Sequence, residues 1–370
     1  MIRFFCPGRT ELVGNHTDHQ KGRVMAAAVD KGITAEAERN GGNVIRLLSD
    51  GFAPMQVDLS RLWPEDSDVG TSAALVKGMA ALLQERGMAL RGFDARLTSD
   101  IAPGGGLSSS AAFAVLAGCM IAHFAEGSPA VSPEDLARLA QKAENRFFGK
   151  PCGLMDQLAC AIGGGVYIDF LENKILPIRC DFDELGYALC LTDTHSSHAN
   201  ATPAYAAIPA DMAAVAAEFG EPVLARVRQP EFELRWPEHE TDPKWRRARH
   251  FFDENWRVAA MADALGLRDA GRYLGLMNES GRSSEKYLRN IVDENGCGLA
   301  LQAGLDASAK LLRGKGAWRV HGSGFGGCVQ ALMPEADFPA YRDAMDDLFG
   351  EDSCQRIRVS QRGVGVIGER

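Results

Sequence analysis

A glycine turn followed by three serines has the residue types of a phosphate-binding loop. Residues 103–112 read Pro-Gly-Gly-Gly-Leu-Ser-Ser-Ser-Ala-Ala and continue into an apolar stretch over residues 113–124. Glycines let a backbone approach an anion without obstruction by Cβ atoms, and a helix N-terminus offers unpaired N–H groups and the positive end of its dipole. Serine is also a frequent N-cap residue, so an ordinary helix start is the alternative. The segment predicts a cradle for a nucleoside triphosphate.

A dense polar segment lies near the N-terminus. Residues 6–20 read Cys-Pro-Gly-Arg-Thr-Glu-Leu-Val-Gly-Asn-His-Thr-Asp-His-Gln and combine one cation, two carboxylates, two imidazoles and two amides. Short polar side chains at these spacings can bond several vicinal hydroxyls, so the segment favours a polyol site over a plain polar turn. His16, Asp18 and His19 could instead be metal ligands, but adjacent residues of an extended chain point to opposite faces.

A third cluster presents a carboxylate just after a turn. Residues 149–157 read Gly-Lys-Pro-Cys-Gly-Leu-Met-Asp-Gln, ahead of an apolar run over residues 158–162. Asp156 could merely cap a helix, which is the commoner fate of such an aspartate. Beside a phosphate loop and a polyol site, however, the same carboxylate favours catalysis.

A second glycine cluster matches a dinucleotide-binding pattern only in its letters. Residues 322–327 read Gly-Ser-Gly-Phe-Gly-Gly and fit G-x-G-x-x-G. That fingerprint must open a helix, whereas residues 328–333 continue as a strand, so we predict a hairpin turn and exclude an oxidoreductase built on it. Gly314-Lys315 is followed by Gly316, which also excludes a Walker A loop at that point.

Composition narrows the function class. The 370 residues carry 40 Lys and Arg against 49 Asp and Glu, for a net charge of -9, which argues against nucleic-acid or membrane-surface binding. Nine cysteines without a Cys-x-x-Cys pair indicate reduced, mostly buried thiols in a cytoplasmic protein. The early Pro7-Gly8 break argues against a signal peptide, and no apolar run approaches the roughly 18 residues of a membrane span.

The hydrophobic pattern mixes strands and helices without a repeat, which predicts an α/β or α+β protein. The predicted strands cover residues 2–6, 24–38, 44–49, 165–170, 174–178 and 187–192. The predicted helices cover residues 72–86, 108–125, 133–147, 245–264 and 269–280. Residues 317–359 predict a strand, glycine turn, strand, helix and strand. The polar, proline-bearing stretch over residues 220–244 predicts an exposed loop or insertion.

These motifs, in this order, resemble the family of galactokinase, homoserine kinase, mevalonate kinase and phosphomevalonate kinase (GHMP kinases), and galactokinases most. The likeness rests on residues 8–18, 103–112 and 322–328, with further support from residues 143–145 and 151–157. It implies an α+β fold of two domains with the active site between them. The first, ribosomal-protein-S5-like, would span residues 1–185, and the second, ferredoxin-like, residues 186–370.

The resemblance also implies an ATP-dependent transfer of phosphate to the anomeric C1 hydroxyl of galactose. Asp156 would orient that hydroxyl or accept its proton, and Arg9 would keep Asp156 ionised and help to neutralise the moving phosphoryl group. Ser110 and Glu144 would hold Mg²⁺. The implied sugar-binding residues are Asn15, His16, Asp18, Gly153 and Tyr205. The implied ATP-binding residues are Gly104, Gly105, Gly106, Leu107, Ser108, Ser109 and Ser110. The expected partners are a small sugar and ATP, with a monomer as one option for the oligomeric state.

Departures from the galactokinase pattern leave the exact sugar open. Galactokinases usually carry Glu at the position of Asn15, Asn at that of Glu11, Tyr at that of His19 and Thr at that of His321. A neutral amide at position 15 could donate a hydrogen bond to the C6 carboxylate of galacturonic acid, and a protonated His19 would add positive charge there. Galactose stays the first expectation, galacturonic acid the alternative, and a sugar and ATP sensor without turnover a lesser one, because the serines, Glu144 and Asp156 are present.

Overall fold

The computed structural model describes residues 1–63, 66–101, 105–127, 130–150, 152–196 and 202–369. Its strands are β1 (Ile2–Val13), β2 (Arg23–Arg39), β3 (Val44–Ser49), β4 (Met55–Asp58), β5 (Phe93–Ser99), β6 (Gly165–Asp169), β7 (Lys174–Ile178), β8 (Tyr187–Asp193), β9 (Ala317–His321), β10 (Cys328–Pro334), β11 (Cys354–Ile357) and β12 (Gly365–Glu369). Its helices are α1 (Ser72–Glu85), α2 (Ser109–Phe124), α3 (Pro133–Ala143), α4 (Met155–Ile162), α5 (Thr202–Glu218), α6 (Gln229–His239), α7 (Pro243–Gly266), α8 (Ala270–Ser283), α9 (Leu299–Leu312) and α10 (Phe338–Phe349).

A large, mainly antiparallel sheet forms the first layer. Its strand order is β12-β1-β2-β5-β3-β4, with β6 joining β2 and β7 joining β6, and only the pair β3–β5 is parallel among the described pairings. Helices α2 and α4 pack on β1 and β2, and α1 and α3 pack on those helices. Helix α2 is rich in alanine and is buried on nearly every side, as expected for a helix in the centre of a layer.

A smaller sheet has the order β11-β8-β10-β9 and is antiparallel throughout its described pairings. Helices α8 and α9 pack on β9, and α10 packs on β11. The chain changes sheet between β7 and β8, near the predicted boundary at residue 185, although β12 returns to pair with β1. The division into residues 1–185 and 186–370 stays a prediction.

Most predicted elements are confirmed within a few residues, and the hairpin across residues 322–327 is confirmed as the turn between β9 and β10. The predicted loop over residues 220–244 is wrong. This stretch contains α6 and the first two residues of α7, and Phe232 is fully buried with its ring stacked on Trp245 at 5.2 Å. Pro230 and Pro243 each lie in the first turn of a helix, where proline is tolerated, so they mark helix starts and not a break.

Other features bear on the remaining expectations. All nine cysteines are free in the structure, and six of them are buried. Among the described residues, no helix is long and apolar enough to cross a membrane.

Candidate active site

Two register irregularities in β1 set the position of Arg9. The pairing of β1 with β2 shifts between Pro7 and Arg9 and again between Glu11 and Val13. Such bulges bend a strand locally and re-aim its side chains. The Arg9 backbone N–H donates to the carbonyl of Leu107 at 3.1 Å, so the bent strand also contacts the glycine–serine loop.

Arg9 and Asp156 form a bidentate ion pair. Arg9 Nε lies 2.7 Å from Asp156 Oδ1 and Arg9 Nη2 lies 2.8 Å from Oδ2, while Nη1 donates to the Gly106 carbonyl at 2.7 Å. Asp156 lies in the first turn of α4, whose N-cap is Leu154, so it does not cap that helix. Burial raises the pKa of Asp156, but Arg9 and a 2.6 Å hydrogen bond from Ser108 Oγ hold it below its ordinary value. Asp156 is therefore ionised at neutral pH.

The glycine–serine loop leads into α2 as the sequence predicts, but its capping differs. Ser108 occupies the N-cap position with φ +56 and its hydroxyl bonds Asp156 instead of capping the helix. A non-glycine residue in this left-handed region is uncommon and is found most often at functional sites. Gly105, Gly106, Leu107, Ser109 and Ser110 line the same cavity as Ser108. Gly104 lies outside the described residues.

Ser110 and Glu144 come together at the end of this loop. Ser110 Oγ lies 3.3 Å from Glu144 Oε1, and Gln157 Nε2 donates to Glu144 Oε2 at 2.8 Å. Glu144 begins a π-helical turn, Glu144–Phe148, that follows α3 directly. Lys150, which the sequence analysis gave no role, has its ammonium 4.0 Å from Glu144 Oε1. The pair supplies two hard oxygen atoms next to the predicted phosphate loop.

Asp18 also lines the cavity, beside Gly153. A Cβ on Gly153 would lie only 2.1 Å from Asp18 Oδ2, so the glycine leaves the space that this carboxylate fills. Burial, together with the nearby carboxylates of Glu11 and Asp156, raises the pKa of Asp18 to about 6. Tyr205 is 47% exposed, and its ring lies 5.6 Å from that of His16.

His16 and His19 are both neutral at physiological pH. His16 Nε2 donates to the Ser323 carbonyl at 3.1 Å, and burial lowers the pKa of His16 to about 4. Burial lowers the pKa of His19 to about 3, with His16 and His250 acting in the same direction. The expected positive charge on His19 is therefore wrong, because protonation would have to occur in a desolvated site.

Asn15 lines the cavity, but the protein already occupies its amide. Its Nδ2 donates to the Gly322 carbonyl and, at 3.5 Å, to Glu11 Oε1. Its Oδ1 accepts from Asn290 Nδ2 at 3.0 Å and from Ser284 Oγ at 3.3 Å. An amide offers two donors and two acceptor sites, so little capacity is left for a ligand. A direct role in sugar binding stays a prediction.

Helix α7 holds the turn around Asn15 through two buried side chains. His250 Nε2 lies 2.9 Å from the Asn15 carbonyl, and Glu254 Oε1 accepts from the Gly14 N–H at 3.2 Å. Both side chains are fully buried. Sequence analysis missed these residues because no local pattern links a helix near residue 250 to a turn more than two hundred residues earlier.

These groups surround a single cavity of about 400 Å³. The predicted site residues that line it are Arg9, Asn15, His16, Asp18, Gly105, Gly106, Leu107, Ser108, Ser109, Ser110, Glu144, Gly153, Asp156 and Tyr205. Glu11, Lys150, Cys152, Gln157, His321 and Cys328 also line it and had no assigned role. The cavity thus joins three motifs that are far apart in the sequence.

Comparison with known proteins agrees with this geometry. A family model described as GHMP kinases N terminal domain matches residues 74–164, and one described as Galactokinase galactose-binding signature matches residues 2–39. The chain is 30% identical over 378 residues to a galactokinase of Roseiflexus sp. (strain RS-1), covering 98% of this chain and 92% of that protein. It is 32% identical over 343 residues to a galactokinase of Mycobacterium tuberculosis (strain ATCC 25618 / H37Rv), covering 90% and 89%.

Solved structures show the same fold. The crystal structure of Lactococcus lactis galactokinase complexed with galactose aligns with a TM-score of 0.86 at 24% identity, over 99% of this chain and 95% of that one. A mevalonate kinase aligns with a TM-score of 0.69 at 17% identity, over 98% and 100%. The expected α+β GHMP kinase fold is confirmed.

Proposed function

The chain belongs to the galactokinase family, and we propose that it transfers the terminal phosphoryl group of ATP to the anomeric C1 hydroxyl of galactose, giving galactose 1-phosphate and ADP. The observation that carries the proposal is the position of Arg9. One guanidinium bonds both oxygens of Asp156 and the Gly106 carbonyl of the predicted phosphate loop. A carboxylate for the acceptor hydroxyl and a loop for the donor phosphate are thus joined by one cation.

Asp156 is ionised, which suits a carboxylate that orients the acceptor hydroxyl. Its lowered pKa makes it a weak base, so in our proposal it accepts a hydrogen bond from the C1 hydroxyl and takes the proton only as the new O–P bond forms. Arg9 stays charged beside it, and its guanidinium lies where negative charge develops on the moving phosphoryl group. Phosphoryl transfer depends mainly on such positioning and charge stabilisation.

Mg²⁺ is the metal ion that the family implies. Ser110 Oγ and Glu144 Oε1 are hard oxygen donors 3.3 Å apart, and Mg²⁺ sites typically use one or two protein oxygens together with water and nucleotide phosphates. The donor set therefore fits, and these two residues would hold the ion. Its contribution would be to neutralise phosphate charge.

The charges around the cavity favour galactose over galacturonic acid. Glu11, Asp18 and Asp156 contribute carboxylates, whereas the lining cations among the described residues are Arg9 and Lys150. Arg9 is committed to Asp156, and Lys150 lies nearest Glu144 with its side chain 63% exposed. A sugar carboxylate would enter a cavity lined by these carboxylates without a nearby cation to pair with it, which like-charge repulsion penalises.

An ADP-release assay over a panel of free monosaccharides and uronic acids tests the proposal. We expect the highest kcat/KM with galactose and a much lower value with galacturonic acid. Faster turnover of galacturonic acid would contradict the substrate, and binding of sugar and ATP without ADP release would contradict the reaction itself.

A further inference from the structure

His321 lies at the end of β9, on the wall of the cavity where β9 turns into the glycine-rich hairpin. It is 4% exposed and belongs to none of the groups used above. A Cβ placed on Gly106 would lie 3.1 Å from His321 Nδ1. The imidazole therefore faces the glycine of the phosphate loop whose carbonyl Arg9 holds.

The surrounding hydrogen bonds determine which ring nitrogen carries the proton. The backbone N–H of Glu11 donates to His321 Nε2 at 3.2 Å, and a backbone N–H cannot accept. Nε2 must then be the unprotonated acceptor, so the proton of the neutral ring is on Nδ1. Thr10 Oγ1 lies 3.0 Å from Nε2 and itself accepts from Gln330 Nε2 at 2.8 Å, which fixes the orientation of the ring.

The Nδ1–H group has no hydrogen-bond partner within the described ranges of the chain. Gly106, which has φ +76, leaves space beside Nδ1 that a side chain would take, because a Cβ there would lie 3.1 Å from both His321 Nδ1 and Cys328 Sγ. His321 lines the cavity, so this oriented donor is available to an acceptor that binds there.

The surroundings of His321 keep its imidazole ring neutral. Burial lowers the pKa of His321 well below its ordinary value, and Arg9 and Arg319 act in the same direction. A neutral imidazole can donate Nδ1–H to an oxygen without giving up the proton. Such a donor suits an acceptor-only oxygen at the phosphate loop.

We propose that His321 is a catalytic residue, whose Nδ1–H donates a hydrogen bond to an oxygen of the terminal phosphate group of the bound nucleotide. The proposal rests on the proposed kinase function and adds a contact that Arg9, Asp156 and the serines do not supply. The donor is held before substrate binds, so it needs no reorganisation as charge builds on the moving phosphoryl group.

Two variants of similar size separate this contact from a structural role. His321→Gln can place an amide oxygen near the Nε2 position to accept from Glu11 N–H, but it has no donor at the Nδ1 position. His321→Asn can place its amide nitrogen near the Nδ1 position and loses the Nε2 contacts. We expect His321→Gln to lower kcat with galactose by about 10²–10³-fold, the typical effect of removing one preorganised donor. His321→Asn should retain at least tenfold more activity than His321→Gln.

Nucleotide binding without sugar gives an independent readout. By calorimetry, His321→Gln should weaken a non-hydrolysable ATP analogue by about 10- to 100-fold while ADP affinity stays unchanged, because ADP lacks the terminal phosphate. Wild-type kcat and analogue affinity in His321→Gln would overturn the proposal. The proposal would also be overturned if both variants lost kcat equally and lost ADP affinity as well, or if only the KM of the sugar changed. If wild type transfers phosphate to no sugar, the proposed function fails, yet the binding comparison still tests the contact.

Discussion

The two aspartates that line the cavity, Asp156 and Asp18, are held in opposite ways. Asp156 bonds Arg9 through both oxygens, and its pKa is lowered. Asp18 has no ion pair in the described part of the chain, and burial raises its pKa to about 6. The fold therefore stabilises the ionised form of Asp156, the aspartate predicted to face the reacting hydroxyl. It destabilises the ionised form of Asp18, the aspartate predicted to hold the sugar.

The side chains around the two aspartates also differ in how far their hydrogen bonds are used within the protein. On the phosphate side, Ser108, Ser110 and Glu144 bond one another or Asp156 and also line the cavity. On the sugar side, the amide of Asn15 is occupied by the protein. Residue type in a motif therefore indicates that a site exists, but hydrogen-bond capacity decides which members remain free for a ligand.

The largest expected effect is that of Asp156→Asn. The amide is nearly isosteric, but it cannot form the ion pair with Arg9 or accept a proton. We expect kcat to fall by about 10²–10⁴-fold with little change in galactose affinity. Steady-state kinetics with calorimetric sugar binding measures both quantities. Turnover at the wild-type rate would show that Asp156 is not the acceptor carboxylate.

Asp18→Asn should stabilise the protein at neutral pH. A pKa of about 6 in place of 3.8 means that the native state binds the proton more tightly than the unfolded chain. The stability that protonated Asp18 contributes is therefore fully present below pH 4 and is lost as pH rises through 6. Removing the charge should raise the free energy of unfolding at pH 8 by up to about 3 kcal/mol and have little effect at pH 4.

Denaturant unfolding at both pH values checks this, with Asp156→Asn as the matched control. The lowered pKa of Asp156 gives stability above its unfolded value that is lost on acidification, so that variant should be destabilised at pH 8. If both variants changed the free energy of unfolding at pH 8 in the same direction, the contrast between the two aspartates would be contradicted. Asp18→Asn should also weaken galactose binding.

Asn15→Ala tests whether Asn15 positions the turn or contacts the sugar. The substitution leaves buried groups of Ser284 and Asn290 without their partner, so we expect a loss of about 1–3 kcal/mol in the free energy of unfolding together with a higher KM for galactose. Tyr205→Phe, at an exposed position of the same wall, is the control and should leave stability unchanged. A raised KM with unchanged stability in Asn15→Ala would favour direct sugar contact.

The smallest effect concerns the magnesium requirement. Ser110→Ala and Glu144→Gln each weaken one oxygen donor, so the Mg²⁺ concentration for half-maximal activity should rise about tenfold in each. Sugar affinity should not change. Ser109→Ala, beside the pair but outside it, is the control. If titration with Mg²⁺ gives wild-type curves for both variants, the metal ion is held elsewhere.

Local signals predicted much of the fold and the motifs, and long-range contacts account for what they missed. The glycine–serine loop, the hairpin at residues 322–327 and most helices follow from turn residues and periodicity. Helix α6 was missed because its prolines were taken as breakers, although the helix is held by the buried side chain of Phe232, which stacks on Trp245 of α7. The tautomer of His321 depends on the backbone of Glu11, 310 residues away, which no local pattern reveals.

The position of the transferred phosphate tests the central claim most directly. Wild-type protein, ATP, Mg²⁺ and galactose should give ADP and one sugar phosphate in equal amounts, and phosphorus NMR should show coupling of the phosphorus to the anomeric proton. A phosphate on any other carbon, or no sugar phosphate although both ligands bind, would contradict the account.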